Sequence, residues 1–385
     1  MRVGTTIICQ NYSDWDRYEA AERGESAEPV PAIPDRQIFA EEVGNAILAE
    51  ELGFDSVWTI EHHFTPYTMV TNPIQLLTYL AGKTERVDLG TMVIVLPWHN
   101  PVRVAEDIAM LDSLLGENRQ VLAGVGRGLG RREYGGLGIE QGEARGRFDE
   151  GIEIIRELLT TGECTFSGEH FDVDQVRLRP QPGRDLSDAL LCAAGSPETM
   201  EVVAKLDIKP LIIPTAQVRI ALGGAQNYMK LRAEAGLPPV QTKMAMWTYC
   251  AETAAEAEAG AERYMLEYTD SALRHYELGG SHFDDMKGYK GYAKMAEIIR
   301  NDDTGGRRSV VDGHPWGTPD QLIEKVKKLS EDFGTSEISF VFRYGSMPQA
   351  QAEKSMRLFA KEVLPALQEL ETAPMEVAPM EPVAD

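Results

Sequence analysis

Short apolar runs alternate along this chain with longer stretches whose apolar residues recur every three or four positions. Arg2–Cys9 is apolar and β-branched and predicts a first strand. Similar runs at Ser56–Ile60, Leu89–Leu96, Gln120–Val125, Ala189–Ala193, Pro210–Ile213, Lys243–Cys250 and Ile338–Phe342 bring the predicted strands to eight. Helical periodicity fills the intervals: Gln37–Leu52 ending at Gly53, Asn72 to about Gly82, Val102–Leu115, Arg145–Thr160, Pro197 to about Leu206, Val218–Ala235, Ala254–Leu273, Thr318–Leu329 and Gln349–Leu370. Thr318 reads as an N-cap with Pro319 at the first helical position.

Four stretches break the alternation. Asn11–Asp35 is polar, holds Pro29, Pro31 and Pro34, and reads as a long loop. Cys164–Arg179, with Gly168 near its middle, reads as a small hairpin insertion, and Gly279–Gly317 as an irregular segment. Thr372–Asp385 is rich in Pro, Ala and Glu and is expected to be disordered. Strands alternating with helices, with no linker-like break in composition, predict an α/β fold: a single (β/α)8 TIM barrel with insertions over residues 1–371. A doubly wound sheet is the competing arrangement. Its dinucleotide fingerprint GxGxxG is missing, because glycines 124, 126, 128 and 130 alternate strictly and the sixth position falls on Leu129 or Arg131.

Charge narrows the partners. A formal net charge of −23 over 385 residues disfavours nucleic acid and anionic membrane surfaces. No apolar run approaches the roughly 20 residues that span a bilayer, and the N-terminus lacks the apolar core of a secretory signal. Cys9, Cys164, Cys192 and Cys250 are widely spaced, which reads as buried thiols in a reducing, cytoplasmic setting rather than a disulfide frame or zinc site. A phosphate ligand would need local positive charge.

In a barrel the residues just past each strand line one pocket. Glu61-His62-His63 follows the second strand; adjacent histidines on extended backbone point to opposite sides, so one of them faces the pocket. A histidine there suits proton transfer near neutral pH; the alternative is a structural histidine bonded to backbone. No HExxH or comparable ligand set points to a metal. Gly126-Arg127-Gly128 holds a guanidinium among glycines, suited to clamping phosphate or, alternatively, to pairing with Glu133 or Glu140 on the rim. Gly195-Ser196-Pro197-Glu198-Thr199 offers either an anion site at a helix start or plain capping. Gly279–Gly317, with Lys287, Lys290, Arg307 and Arg308, is either a pocket lid or a surface insertion. Trp98, Phe64 and Trp247 are candidate pocket walls or core.

The segments AEELGFDSVWTIEHHF, LGTMVIVLPWHNPVRVAEDIAMLD, VLAGVGRG, AAGSPET, WGTPDQ and FRYGSMP…LFAKEVLP, in this order over about Arg2–Leu370, resemble the bacterial luciferase-like flavin monooxygenases. The resemblance implies a (β/α)8 barrel that binds reduced FMN, often as a dimer supplied by a separate flavin reductase. It implies that His62 is the active-site histidine, that Arg127 holds the flavin phosphate, and that Gly195, Ser196 and Thr199 belong to a second phosphate loop. It also implies a non-proline cis peptide at Met92-Val93 beneath the isoalloxazine ring. Dioxygen would react with the flavin to give a hydroperoxide that oxygenates a small organic substrate, by hydroxylation, Baeyer–Villiger insertion or desulfonation. The chain departs from luciferase where Gly126 replaces a reactive cysteine, and in its proline-bearing loop after strand one, so light emission from an aldehyde is not expected. Two rivals are a deazaflavin-dependent oxidoreductase that transfers hydride and a non-catalytic flavin-binding protein.

Overall fold

The apolar runs close on themselves. In the computed structural model, which describes residues 1–25, 28, 30–193, 197–214, 218–277 and 305–375, eight strands form a closed barrel. They are β1 Arg2–Ile7, β2 Ser56–Thr59, β3 Asp88–Val95, β4 Val121–Gly126, β5 Leu190–Ala193, β6 Lys209–Ile212, β7 Thr242–Trp247 and β8 Thr335–Val341. Their order round the barrel is β1-β8-β7-β6-β5-β4-β3-β2, and every neighbouring pair is parallel. The predicted barrel is therefore the observed one. Its helices are α1 Asp35–Leu52, α2 Pro73–Ala81, α3 Pro101–Leu115, α4 Ala144–Thr161, α5 Pro197–Lys205, α6 Val218–Glu234, α7 Pro319–Phe333 and α8 Gln349–Glu362.

Local signals set these boundaries. Asn100 Oδ1 accepts from Val102 N at 3.0 Å, with Pro101 opening α3. Ahead of α7, Gln321 Oε1 accepts from Thr318 N at 3.0 Å, and Gly334 in the left-handed region ends the helix. The predicted hairpin is Glu163–Ser167 paired antiparallel with Asp172–Arg177.

Inside the barrel, Trp58, Met92, Leu122, Leu191, Leu211 and Ala245 fill the middle layer. At the N-terminal mouth the buried Glu337 accepts from Lys243 Nζ at 2.6 Å and from Trp58 Nε1 at 3.2 Å. This charge network plugs that end, and the free space lies at the other. All four cysteines are buried thiols. No helix among the described residues is long and apolar enough to cross a membrane.

Three expectations need correction. The Asn11–Asp35 loop contains a helix, Trp15–Glu22, held by Trp15 Nε1 donating to Ser271 Oγ at 2.6 Å. The Gly279–Gly317 segment is not irregular throughout: its first part, to residue 304, with Lys287 and Lys290, lies outside the described residues, and the rest holds the helix Gly305–Asp312 and the two-residue strand Trp316–Gly317. The tail expected to be disordered from Thr372 begins with packed residues, since Gln241 Nε2 donates to Thr372 Oγ1 at 2.7 Å and Met375 is buried. Residues 376–385 lie outside the described part.

Candidate active site

The C-terminal ends of the strands surround one deep cavity. Thr6 and Ile8 line it from β1, Ile60 to His62 from β2, Met92 and Val93 from β3, and Gly126 to Leu129 from β4. Ala193, Ile213, Trp247 and Val341 complete the ring. The helix Ala254–His275, inserted after β7, roofs it with Met265, Tyr268, Thr269 and Ala272, which share one helical face.

Between β3 and β4 the register shifts from Met92↔Gly124 to Ile94↔Val125, so Val93 is an extra residue. The Met92-Val93 peptide is cis. Val93 accounts for Gly126: a Cβ there would lie 2.7 Å from Val93 Cγ2, on a stiff β-branched side chain. Gly128 adopts φ +75°, and its Cβ would lie 2.6 Å from Val95 Cγ1. The alternating glycines thus let β4 pass close to the bulge and deliver Arg127 to the cavity. Tyr134 Oη donates to the Arg127 carbonyl and fixes the turn.

Thr199, buried at the start of α5, lines the same cavity. Arg145 Nη1 stands 3.3 Å from Thr199 Oγ1, adding a second guanidinium that sequence reasoning did not single out. Gly195 and Ser196 lie outside the described residues.

His62 faces the cavity, whereas His63 turns toward Glu61 at 3.4 Å and the edge of Trp98, as adjacent residues on an extended segment should. Glu133 sits 3.0 Å from His62 Nδ1 through Oε1, which also accepts from His63 N at 2.9 Å. This is the carboxylate that the sequence offered as a partner for Arg127; it supports the histidine pair instead. Burial alone would raise the Glu133 carboxyl, but the imidazoles of His62 and His275 outweigh it and hold Glu133 well below the usual carboxylate range. An ionised Glu133 can only accept, so His62 carries its proton on Nδ1. His62 Nε2 then lies 3.3 Å from Tyr276 Oη, a residue that also lines the cavity.

His275 stands behind Glu133, with Nε2 3.3 Å from Oε2 and Nδ1 2.7 Å from Thr65 Oγ1. Burial holds its imidazole below the ordinary value, against the pull of Glu133. Glu61, also buried, is held below its ordinary value: burial would raise it, and hydrogen bonds from His63, His99 and the Val95 N–H prevail. The sequence showed no metal ligand set, yet His62, Glu133 and His275 bring ligand atoms within 4.8 Å of one another. Their hydrogen bonds make them a carboxylate-braced imidazole facing the cavity. Of the candidate walls, Trp247 lines the cavity; Trp98 packs outside it on Tyr134, and Phe64 is exposed.

Replacing Glu133 with glutamine is expected to destabilise the fold by about 2 kcal/mol at pH 7, the scale of a lost hydrogen bond to a buried charge. Because the folded value lies below the unfolded 4.5, this contribution is full above pH 4.5 and fades as pH falls below it. Urea unfolding of both proteins should show the gap narrowing in that direction; a gap that widens toward acid contradicts an ionised Glu133.

A closed parallel barrel with an arginine, a braced histidine and a deep cavity at its C-terminal face defines an enzyme-type (β/α)8 site. The chain belongs to the luciferase-like monooxygenase family, whose profile matches residues 19–337. The alkanal monooxygenase alpha chain of Photorhabdus luminescens is 26% identical over 352 residues, covering 88% of this chain and 95% of that one. Monooxygenase RslO1 from Streptomyces bottropensis aligns with a TM-score of 0.73 at 24% identity, covering 95% of this chain and all of that one. The oxygenating constituent of 3,6-diketocamphane monooxygenase from Pseudomonas putida, a type II Baeyer–Villiger enzyme in complex with FMN, aligns at 0.67 and 21%, covering 95% and 98%. An F420-dependent secondary alcohol dehydrogenase aligns at 0.67 and 17% over the same shares. These structural likenesses concern the fold.

Proposed function

We propose that the protein uses reduced FMN and dioxygen to oxygenate a small organic substrate, by hydroxylation or Baeyer–Villiger insertion. The observation that carries this reading is one cavity lined by Arg127, by Thr199 with Arg145 Nη1 3.3 Å from its Oγ1, by the Glu133-braced His62 and by the Met92-Val93 bulge. The donor set suits a flavin phosphate, and the glycines of β4 let that strand pack directly against the bulge. Arg127, Arg145, Thr199, Gly195 and Ser196 would hold the phosphate, while Met92 and Val93 would support the ring.

When bound, the reduced flavin supplies the electrons for oxygen activation. The chain's own residues do the rest. Trp247, Tyr268 and Val341 line the cavity and exclude water. His62 Nε2 holds or delivers a proton, with Glu133 keeping the ring in one tautomer. The same reading includes a separate flavin reductase as supplier and a homodimer as the assembled form.

The fold likeness to an F420-dependent dehydrogenase favours one second reading, hydride transfer to or from a deazaflavin without oxygen. Equilibrium titration of the flavin-free protein separates the two. FMN should bind and F420 should fail to displace it; tight F420 binding that excludes FMN supports hydride transfer instead.

A further inference from the structure

A proton held on His62 has one way out. On the Nδ1 side stand Glu133 and His275, both with side chains closed to solvent. Glu133 Oε1 already accepts from His63 N, and its Oε2 faces His275 Nε2 at 3.3 Å. That side is a dead end. The imidazole keeps 15% of its side-chain surface exposed, and Nε2 is its remaining polar atom.

Tyr276 stands at Nε2. It follows the last residue of the roofing helix, lines the cavity and is half-buried. Its Oη lies 3.3 Å from His62 Nε2. With the ring hydrogen on Nδ1, Nε2 can only accept, so the phenol donates to it. The tyrosine is held in this place. Its N–H donates to the Ala272 carbonyl at 3.0 Å, and the rings of His275, Tyr67 and His62 meet it edge-on with centroids 4.7, 5.6 and 5.8 Å away.

We propose that Tyr276 is a catalytic residue that relays protons between the cavity and His62. Its Oη takes a proton from an O–H or N–H group of a bound reactant as its own proton passes to Nε2. One bond to hydrogen forms at Oη and one at Nε2; one breaks at the reactant, which keeps the electron pair, and one at Oη. The imidazolium that results is held against the ionised Glu133. The reverse movement returns the proton. The phenol is neutral before and after, so the relay needs no phenolate. The inference rests on the proposed acid–base role of His62.

Tyr276→Phe keeps the ring and removes the hydroxyl, and two measurements judge it. The first uses the flavin-free full chain labelled with ¹⁵N-histidine, the His62 signals being identified by their loss in His62→Ala. In Tyr276→Phe the His62 Nε2 resonance should move toward that of an acceptor without a donor, while Nδ1 stays protonated and the His275 signals stay in place. The second follows the reoxidation of bound reduced FMN by dioxygen alone, in which protons leave the flavin with the hydrogen peroxide formed. Tyr276→Phe and His62→Ala should each slow it by about 100-fold, and the double variant should lie within about threefold of the slower single, as for groups acting in series. An Nε2 resonance that does not move, a single variant as fast as the parent, or losses that multiply in the double variant overturns the relay. Parent reoxidation identical to that of free flavin defeats the oxygenase reading instead, and the nitrogen resonances then decide the relay contact by themselves.

Discussion

Replacing His62 with alanine should leave FMN binding within about threefold of the parent protein and lower substrate oxygenation by about 10²- to 10⁴-fold, the usual contribution of a positioned acid or base. The reason is geometric. His62 lines the cavity wall, its Nδ1 is tied to Glu133 at 3.0 Å, and its other nitrogen faces the space shared with Tyr276. The variant removes the group that moves the proton and leaves the phosphate end untouched. Glu133→Gln should show a milder loss, because the ring remains but either tautomer becomes acceptable to its partner. Steady-state turnover and flavin titration on the same preparations check both halves. Unchanged turnover removes His62 from the chemistry; lost FMN affinity makes it a binding residue.

Arg127→Ala should weaken FMN by about 100-fold while changing riboflavin by no more than about threefold. The basis is arithmetic: a bidentate guanidinium–phosphate contact contributes about 3 kcal/mol as two charge-assisted bonds, and 1.4 kcal/mol is tenfold in affinity. Arg127→Lys should recover part of the loss, since an ammonium keeps the charge but not the planar fork. Arg145 and Thr199 temper the effect and keep the residual FMN site from vanishing. Equal weakening of FMN and riboflavin would place Arg127 against the ring or in the scaffold rather than on the phosphate.

The barrel was legible because its signals are local. Eight β-branched or apolar runs, Asn-Pro and Thr-Pro helix starts and closing glycines are each written in a few consecutive residues. The opposed directions of His62 and His63 follow from strand geometry alone. The residues that complete the site are separated in the chain: Glu133 stands 71 positions from His62, and His275 stands 210 from Thr65. Barrel closure brings them together, and no local pattern announces it. Glu133 drew notice only as a rim partner for Arg127, since its nearness in sequence suggested a neighbour that the fold does not give it. The Trp15–Glu22 helix was hidden for a different reason: it is polar, and what holds it is a single indole on Ser271 together with ion pairs such as Arg132–Glu22, all to elements far along the chain.

The central claim is that this cavity commits reduced flavin to oxygen chemistry. The most direct test mixes the protein anaerobically with reduced FMN, admits dioxygen, and follows the flavin absorbance in time. The account predicts a long-lived spectrum distinct from that of free flavin, decaying over a time set by the protein. Reoxidation with the spectrum and rate of free flavin would contradict it.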